Sequence, residues 1–489
     1  MLSLMRGDGC VAMRSGGSDS GDLRTKGRVR EVFVGYRATH AWPALDGNRV
    51  RGCGRVTREE LPRWPFTAMF ALFPLWWFLG PGDMAWIPVG MLMAAYMWRR
   101  GGIEAPRSFW LWLMFLLLMA VSVIGIDSPG RLIGFAYRAA QYVTFAIVFI
   151  YVYNARERLT MQYVLGVLTV FWVWTVLGGY ASVAFPAFSF DTLMSYVLPQ
   201  GLLSNELVSE MSTRRLTQHK PDGWLDLDPR PSAPFLYTNA WGNVYSMLLP
   251  VTICYLRMAW GTHRSLVLLL MIPLSLVPAF LTLNRGMFLG MGVAFAFIGV
   301  MALLGGQRRL VAGLLVIMAV LLGAAAVLDV RERVTDRTEV STTTENRADL
   351  YQETFERTVE SPIFGHGAPR PSETEGAPSA GTQGQIWTVM FSHGFPALFF
   401  FLAWMAWTFL VTLQTRDPGR IALTSVLLMI LVESAYYGVA TNGLILAMAV
   451  AALLMRPAWR ATASPRSMMS AHFAAGLPVS TQQPLPGRP

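Results

Sequence analysis

The sequence has few cysteines and few charges for its length, and each scarcity excludes a class of protein. Cys10, Cys53 and Cys254 are the only cysteines among 489 residues, and no two of them have the short spacing of a metal-binding or disulfide motif. A disulfide framework and a zinc cluster are therefore excluded. Charged residues make up 14% of the chain and hydrophobic residues 53%, which excludes a water-soluble protein of this length.

What the chain has instead is a series of long apolar segments separated by polar ones. An apolar run of about 20 residues is long enough for a helix that crosses the hydrocarbon core of a bilayer. Twelve such segments are predicted, at residues 65–79, 85–98, 108–126, 133–153, 160–184, 239–256, 265–283, 286–305, 310–328, 387–413, 421–438 and 440–455. The sequence therefore predicts an all-α, polytopic transmembrane helical bundle of about 12 spans.

The arginines between these segments predict which side of the membrane each loop occupies. If the N-terminus is cytoplasmic, the short inner loops hold eleven arginines and the short outer loops hold only Arg131 and Arg285. Basic residues concentrate in the cytoplasmic loops of membrane proteins, so both termini are expected in the cytoplasm. The net charge of +10 then indicates contact with anionic lipid headgroups, and nucleic acid is not expected as a partner.

The apolar part of the chain is bounded by two polar tails. Residues 1–63 and 456–489 are basic and rich in Gly, Pro or Ser, a composition typical of disordered cytoplasmic tails. Between them, residues 64–455 are expected to form one transmembrane domain. Two longer segments of this domain, 185–238 and 329–386, carry a net negative charge and fall on the outer side of the predicted topology.

A short surface helix is predicted in the second outer segment, at about residues 344–360. Thr342 and Glu345 have the spacing of a capping box at its start. The helix is expected to carry an apolar stripe and an i,i+4 ion pair, formed by Leu350, Phe355 and Val359 and by Glu353 and Arg357. A helix followed by a Gly/Pro/Ser loop suits a site that opens for a large ligand, although an ordinary connection has the same composition.

Four arginines are predicted on the outer side, at or near the ends of spans. Arg285 lies between two apolar segments, Arg230 precedes the sixth, Arg347 opens the surface helix, and Arg138 lies about two turns into the fourth. A single arginine at such a boundary is explained by snorkelling, and Arg138 could form a buried pair with Glu433. Several guanidinium groups facing one cavity instead suit a phosphate or diphosphate, which they bind bidentately.

The apolar segments contain almost no acidic residues, so no metal site and no cofactor are predicted. A lipid-linked diphosphate keeps its tail in the bilayer, which places its headgroup at the depth of these arginines. This substrate class fits their location better than nucleotides, which are cytoplasmic.

Three segments carry recognisable motifs, namely LTLNRGMFLG, RADLYQETFERTVESPIFGHG and RPSAPFLYTNAWGNVYSMLLP. Together they resemble sequences of the O-antigen ligase and polymerase superfamily. LTLNRGMFLG is similar to the family's SRG segment, with Asn284 in place of the usual serine and Arg285 as the arginine. RADLYQETFERTVESPIFGHG resembles its large-loop signature, and RPSAPFLYTNAWGNVYSMLLP resembles the start of its middle span. The matching positions are Arg347, Tyr351, Pro362, Gly365 and Gly367 in the former and Arg230 and Asn239 in the latter.

The order of these segments and the predicted topology also match the family, over roughly residues 130–450. The resemblance implies an inverting, metal-independent glycosyltransferase that moves a glycan from undecaprenyl diphosphate to an acceptor at the outer face of the plasma (inner) membrane. It implies that Arg230, Arg285 and Arg347 bind the diphosphate and stabilise it as the leaving group. Four further residues complete the predicted substrate site, namely Asn239, Tyr351, Arg138 and Glu433.

The chain departs from the family at the position of its proposed catalytic base, a histidine at the start of the span after the large loop. That position falls near Gln383, and a glutamine side chain does not accept a proton at neutral pH. His366 in the large loop is an alternative base, whereas His393 is predicted inside the tenth span, where it packs or forms hydrogen bonds. The acidic candidates are Glu345, Asp349 and Glu353.

Two other functions remain open from the sequence. A transporter or flippase for lipid-linked glycans also has many spans and intramembrane charges, but the sequence has no convincing halves and its charges gather at the outer end. A non-catalytic membrane scaffold that binds such glycans is compatible with the missing histidine. The glycan, its acceptor and the choice between ligase and polymerase are not predicted.

The predicted topology places positions 335 and 375 outside the cell. With the three native cysteines replaced by serine, Thr335→Cys and Glu375→Cys should each react with a membrane-impermeant maleimide added to intact cells. A variant that retains only Cys53, in the predicted cytoplasmic tail, is the control and should react only after permeabilisation. Protection of both outer positions in intact cells would contradict the topology.

Overall fold

The computed structural model shows a bundle of α-helices with two small strand pairs. It describes residues 60–199, 201, 206–218, 229–327, 343–374, 377–414, 417–440 and 442–457. The helices are α1 (Trp64–Phe70), α2 (Phe73–Leu79), α3 (Trp86–Arg100), α4 (Trp110–Val121), α5 (Pro129–Asn154), α6 (Met161–Ala184), α7 (Leu193–Val197), α8 (Glu206–Ser212), α9 (Thr238–Met258), α10 (His263–Leu281), α11 (Arg285–Leu304), α12 (Arg308–Val327), α13 (Thr343–Glu360), α14 (Gln385–Thr412), α15 (Pro418–Glu433) and α16 (Gly443–Met455).

Short 3₁₀ helices and strand pairs lie between these helices. One-turn 3₁₀ helices lie at Gly82–Ala85, Arg107–Phe109 and Ser122–Gly125. Two antiparallel strand pairs lie between α6 and α9: β1 (Ser189–Asp191) pairs with β2 (Thr213–Arg215), and β3 (Thr217–Gln218) pairs with β4 (Arg230–Pro231).

Each of the twelve predicted apolar segments contains helix, but residues 65–79 form two helices, α1 and α2, on either side of Ala71 and Leu72. Within the described ranges, six helices are long and apolar enough to cross a membrane. They are Arg107–Gly125, Pro129–Asn154, Met161–Ala184, His263–Leu281, Arg285–Leu304 and Gln385–Thr412. A mostly helical integral membrane protein is therefore confirmed, while the count of 12 spans and the location of the termini stay predictions.

The centre of the bundle is formed by α16 and α9. Helix α16 has the sequence GLILAMAVAALLM, which is apolar on every face, and it is buried from Gly443 to Leu454 inside the bundle. It packs against α5 and α15, and α9 packs against α6 and α15. These central helices position the polar groups described below.

Glu433, at the end of α15, is fully buried among these helices. The Asn243 side-chain amide donates to its Oε2 at 2.5 Å, and the Ser246 hydroxyl donates to its Oε1 at 2.8 Å. The predicted pair between Arg138 and Glu433 is therefore wrong. Two polar side chains one turn apart on α9 form hydrogen bonds with the carboxyl group instead. A buried polar group requires hydrogen-bond partners, and neutral side chains meet this requirement as well as a charged one.

Helix α13 spans Thr343–Glu360, close to the predicted 344–360. Its buried positions, which face α14 and the chain before it, are Leu350, Thr354 and Thr358. Phe355 and Val359 are 50% and 55% exposed, so the predicted apolar stripe is wrong. The spacing of four residues from Leu350 to Thr354 and Thr358 places those three side chains on one helix face, and the larger apolar residues lie beside it.

The ion pair predicted on α13 is confirmed, because Arg357 Nη1 lies 2.8 Å from Glu353 Oε1. The predicted capping box involves Thr342 and the side chain of Glu345, both of which lie outside the described residues.

Gly290 on α11 offers a test of how Glu433 is packed. A Cβ at Gly290 would lie 2.1 Å from Glu433 Oε1, and overpacking a buried site costs roughly 1–3 kcal/mol. Gly290→Ala should therefore lower the melting temperature of the detergent-solubilised protein, measured by tryptophan fluorescence.

The matched control is Gly292→Ala on the same helix, where an added Cβ meets nothing within 4 Å. Alanine is a better helix former than glycine, so this variant should melt at an unchanged or higher temperature. Equal melting temperatures for the two variants would contradict the packing of α11 against Glu433.

Candidate functional site

Two cavities adjoin each other at the end of the bundle where α9 and α14 begin. The first has a volume of about 250 Å³ and the second of about 590 Å³. The wall between them contains residues that line both, namely Tyr237, Ala240, Thr382, Gly438 and Asn442. Groups bound in the two cavities would therefore be neighbours.

The first cavity contains charged side chains from three elements, Asp83, Arg138 and Arg214. Arg214 is only 3% exposed; its Nη2 donates to the Gly80 carbonyl at 2.6 Å, and its Nε is buried with no hydrogen-bond partner among the described residues. Arg138 on α5 forms no hydrogen bond or ion pair within the described part of the chain. Because buried donors are normally paired, this cavity suits a ligand that accepts hydrogen bonds.

The second cavity is lined by neutral polar groups. They are the amides of Gln218, Asn239, Asn243, Gln383 and Asn442 and the phenols of Tyr237, Tyr436 and Tyr437. The Oδ1 atom of Asn442, in the shared wall, is buried without a partner among the described residues. Amides and phenols both donate and accept hydrogen bonds, so the lining suits a ligand rich in hydroxyl groups.

Arg285 is the first residue of α11, and a tight turn displays it on the surface. Leu283, two residues before it, has φ 49°, a conformation that costs of order 1–3 kcal/mol and that no other non-glycine residue among those described adopts. The Asn284 side chain caps α11 and also donates to the Thr238 carbonyl at 3.2 Å, while the Tyr437 hydroxyl donates to its Oδ1. Asn284 thus ties the strained turn to α9 and to the connection after α15.

Arg230 on β4 reaches the same turn. Its Nε donates to the Thr282 carbonyl at 2.7 Å. Gln218, its partner across the strand pair, lines the second cavity. Tyr436 lines that cavity as well, and its hydroxyl donates to the Gly286 carbonyl at 3.0 Å. The turn that carries Arg285, and that Arg230 contacts, therefore lies beside residues of the second cavity.

Other residues of the predicted site divide into those at the cavities and those away from them. Asn239 and Gln383 line the second cavity, and Arg138 lines the first. Tyr351 lines neither; its ring stacks on Trp387 at a centroid distance of 4.3 Å and an interplanar angle of 8°. The side chain of Arg347 lies outside the described residues.

The large-loop signature docks on a break in α14. Gly394 has φ 80° there and Pro396 lacks an N–H, so two helix carbonyls lose their usual partners. The loop supplies replacements, since the His366 N–H donates to Phe391 O at 2.9 Å and the Gly367 N–H to Ser392 O at 2.7 Å. These residues of the signature therefore have a structural task in this chain.

The structure does not bring His366 into either cavity. Its ring lies on Phe391 at a centroid distance of 4.7 Å, and its Nε2 donates to the Arg357 carbonyl at 2.7 Å, since a carbonyl oxygen only accepts. Burial lowers the pKa of His366 below the ordinary 6.5. His393 is buried in α14 and forms a hydrogen bond with Ser122 at 2.7 Å, as predicted.

Several residues at the cavities were missed by sequence reasoning, chiefly Asp83, Arg214 and Asn442. Asp83 lies in the short PGD turn after the first apolar segment. Like Arg285, it is a charged residue between two apolar segments, and this feature could have identified it. Arg214 carries no such signal, because it lies in a polar segment whose strand pairing with β1 brings it to the cavity. Within the described ranges, no group of three or more His, Cys, Asp or Glu side chains could hold a metal ion.

Fold and site together define a polytopic helical membrane protein with two cavities and several arginines at one end of the bundle. Residues 266–402 match a protein-family model described as O-Antigen ligase, a range that includes Arg285 and the large-loop signature. The resemblance to the O-antigen ligase and polymerase superfamily is therefore confirmed. Arg230 and Asn239 precede the matched range. No curated protein and no solved structure matches the chain.

The buried His366 predicts that acid loosens the docked loop. Its pKa is lower in the folded state than in the unfolded one, so its contribution to stability is complete above about 6.5 and is lost as the pH falls below that value. Hydrogen–deuterium exchange of residues 361–380, corrected for its intrinsic pH dependence, should be faster at pH 5.5 than at pH 7.5.

His366→Gln, which keeps an N–H donor but does not titrate, should remove this difference. Asp127 also holds the loop, through ion pairs with Arg131 and Arg370, but the hydrogen bond from Arg131 lowers its pKa, so it stays ionised at both values. Equal exchange of the wild-type loop at the two pH values would overturn the assignment.

Proposed function

We propose that this protein transfers a glycan from a polyprenyl diphosphate carrier, such as undecaprenyl diphosphate, to an acceptor at the outer face of the plasma membrane, with inversion and without a metal ion. The observation that carries the proposal is the pair of adjoining cavities at one end of an apolar bundle, which contain charged and amide side chains and lie near an exposed arginine in the family-matched range. A transferase must hold two substrates side by side, and adjoining cavities meet that need.

Arg285 is well placed to bind the diphosphate. It is exposed at the first position of α11 and forms no hydrogen bond or ion pair among the described residues. The free N–H groups and the dipole at a helix N-terminus also favour an anion. Arg230 reaches the same turn, and Arg347 is the third arginine of the proposed set. Their positive charge would stabilise the diphosphate as it leaves.

The surface beside Arg285 suits a carrier with a lipid tail. Leu289 is one helical turn further along the same face of α11 and is 55% exposed. Leu303 and Val300, further along this helix, are exposed as well. An arginine next to a lipid-facing apolar helix face would bind the headgroup of a carrier whose chain stays in the bilayer.

A second candidate function is a non-catalytic membrane protein that binds lipid-linked glycan. The observation that favours it is Gln383, which lines the second cavity at the position where the family has its histidine. A glutamine amide would hydrogen-bond a sugar hydroxyl without taking its proton.

Turnover in proteoliposomes tests the proposal. The full-length protein, supplied with labelled undecaprenyl-diphosphate glycan and native membranes of the source cell as acceptor, should release undecaprenyl diphosphate. Arg285→Ala should reduce release at least about 100-fold, the effect of removing one preorganised donor from a transition-state charge. Arg285→Lys should also be impaired, because an ammonium group lacks the bidentate geometry of guanidinium.

Arg99→Ala is the matched control, since Arg99 is an exposed arginine at the predicted cytoplasmic end of α3 and should be dispensable. Wild-type turnover in Arg285→Ala would overturn the assignment of this arginine. Binding of the donor without release by the wild-type protein would favour the scaffold, and transfer of intact donor across the bilayer would favour a flippase.

A further inference from the structure

A glycan transfer requires a base that takes the proton of the acceptor hydroxyl. The structure reduces the number of residues that could be this base. Gln383 does not accept a proton, and His366 and Glu433 line neither cavity. Glu353 is engaged by Arg357 and Ser372, and Asp349 is also absent from both linings. Among the described residues that line the two cavities, Asp83 is the only carboxylate.

Asp83 lies at the first cavity, and one of its carboxylate oxygens accepts no hydrogen bond from a side chain of the described residues. It lies in the 3₁₀ helix Gly82–Ala85 and is partly exposed to the first cavity. Its Oδ2 accepts hydrogen bonds from the Tyr137 hydroxyl at 3.2 Å and from the Gln141 amide at 3.5 Å. No side chain among the described residues donates to its Oδ1, so that oxygen is available to a ligand in the cavity.

A purely structural role as counter-charge fits the geometry less well. The positive charge of Arg214 lowers the pKa of Asp83, but the two side chains form no ion pair within 4.0 Å. Arg214 donates instead to the Gly80 carbonyl, and its Nε is left without a partner among the described residues. The carboxylate of Asp83 and the guanidinium of Arg214 can therefore each form a further hydrogen bond with a ligand in the first cavity.

We propose that Asp83 is the catalytic base that deprotonates the acceptor hydroxyl, an inference that rests on the proposed function. The acceptor O–H proton passes to a carboxylate oxygen of Asp83 as the acceptor oxygen forms a bond to the anomeric carbon of the donor glycan. The bond from that carbon to the diphosphate oxygen breaks, and its electron pair leaves with the diphosphate. Asp83 then returns the proton to solvent.

The surroundings of Asp83 match this task. Burial raises the pKa of Asp83 to about 6, while its own backbone N–H, the Arg214 guanidinium and the Tyr137 hydroxyl act in the opposite direction. Arg138 lines the same cavity. A carboxylate of this kind is ionised at pH 7 and still basic enough to accept a proton in the transition state.

Asp83→Asn, which keeps the shape of the side chain, should lower turnover of the donor at least about 100-fold, in keeping with the usual contribution of a general base. Binding of the labelled undecaprenyl-diphosphate glycan should be retained, which also shows that the variant is folded. Asp83→Glu should recover part of the activity. Asp191→Asn is the control, because Asp191 is an exposed carboxylate of the neighbouring strand pair that lines neither cavity.

The pH dependence distinguishes a base from a structural residue. Wild-type kcat/KM should fall as the pH drops through about 6, and Arg214→Gln should move this limb to higher pH because a positive charge near Asp83 is lost. Wild-type turnover by Asp83→Asn, or an acid limb that Arg214→Gln leaves unmoved, would overturn the inference alone. Failure of the wild-type protein to release undecaprenyl diphosphate would overturn the proposed function and this inference together.

Discussion

This end of the bundle depends on polar side chains that are buried where helices cross, and three of them, Glu433, Asn243 and Asn284, require a glycine on the facing helix. An added Cβ would lie 2.1 Å from Glu433 at Gly290, 2.1 Å from Asn243 at Gly443 and 2.2 Å from Asn284 at Gly242. Since an unpaired polar group in an apolar interior costs several kcal/mol, the helices must approach closely enough to pair these groups. Glycine alone leaves the room for that approach.

The same network fixes the geometry of the site. Asn284 holds the strained turn after Leu283 in place, and the turn displays Arg285 beside the second cavity. The first cavity depends on different elements, namely the 3₁₀ helix that carries Asp83 and the strand pair that carries Arg214. Arg285, proposed to stabilise the leaving group, and Asp83, proposed as the base, therefore come from separate parts of the chain. The cavities beside which they lie share a wall.

Sequence reasoning located the helices well, because apolar runs long enough to span a bilayer follow directly from the cost of placing polar groups in hydrocarbon. It also singled out Asn239 and Gln383, which line the second cavity, and Arg230 and Arg285, whose functions stay predictions. The sequence suggested Arg138 as the partner of Glu433, whereas the structure pairs Glu433 with Asn243 and Ser246. Opposite charges in two segments do not determine which helices are adjacent. Arg214 was missed since only tertiary pairing brings that strand to the cavity.

A cryo-EM structure of the protein with undecaprenyl diphosphate in lipid nanodiscs would test the central claim most directly. The account predicts diphosphate density within hydrogen-bond distance of Arg285 and Arg230, at the mouth of the second cavity, with the polyprenyl chain along the exposed face of α11. Diphosphate density at the other end of the bundle, for example beside Arg257 and Arg309, would contradict it.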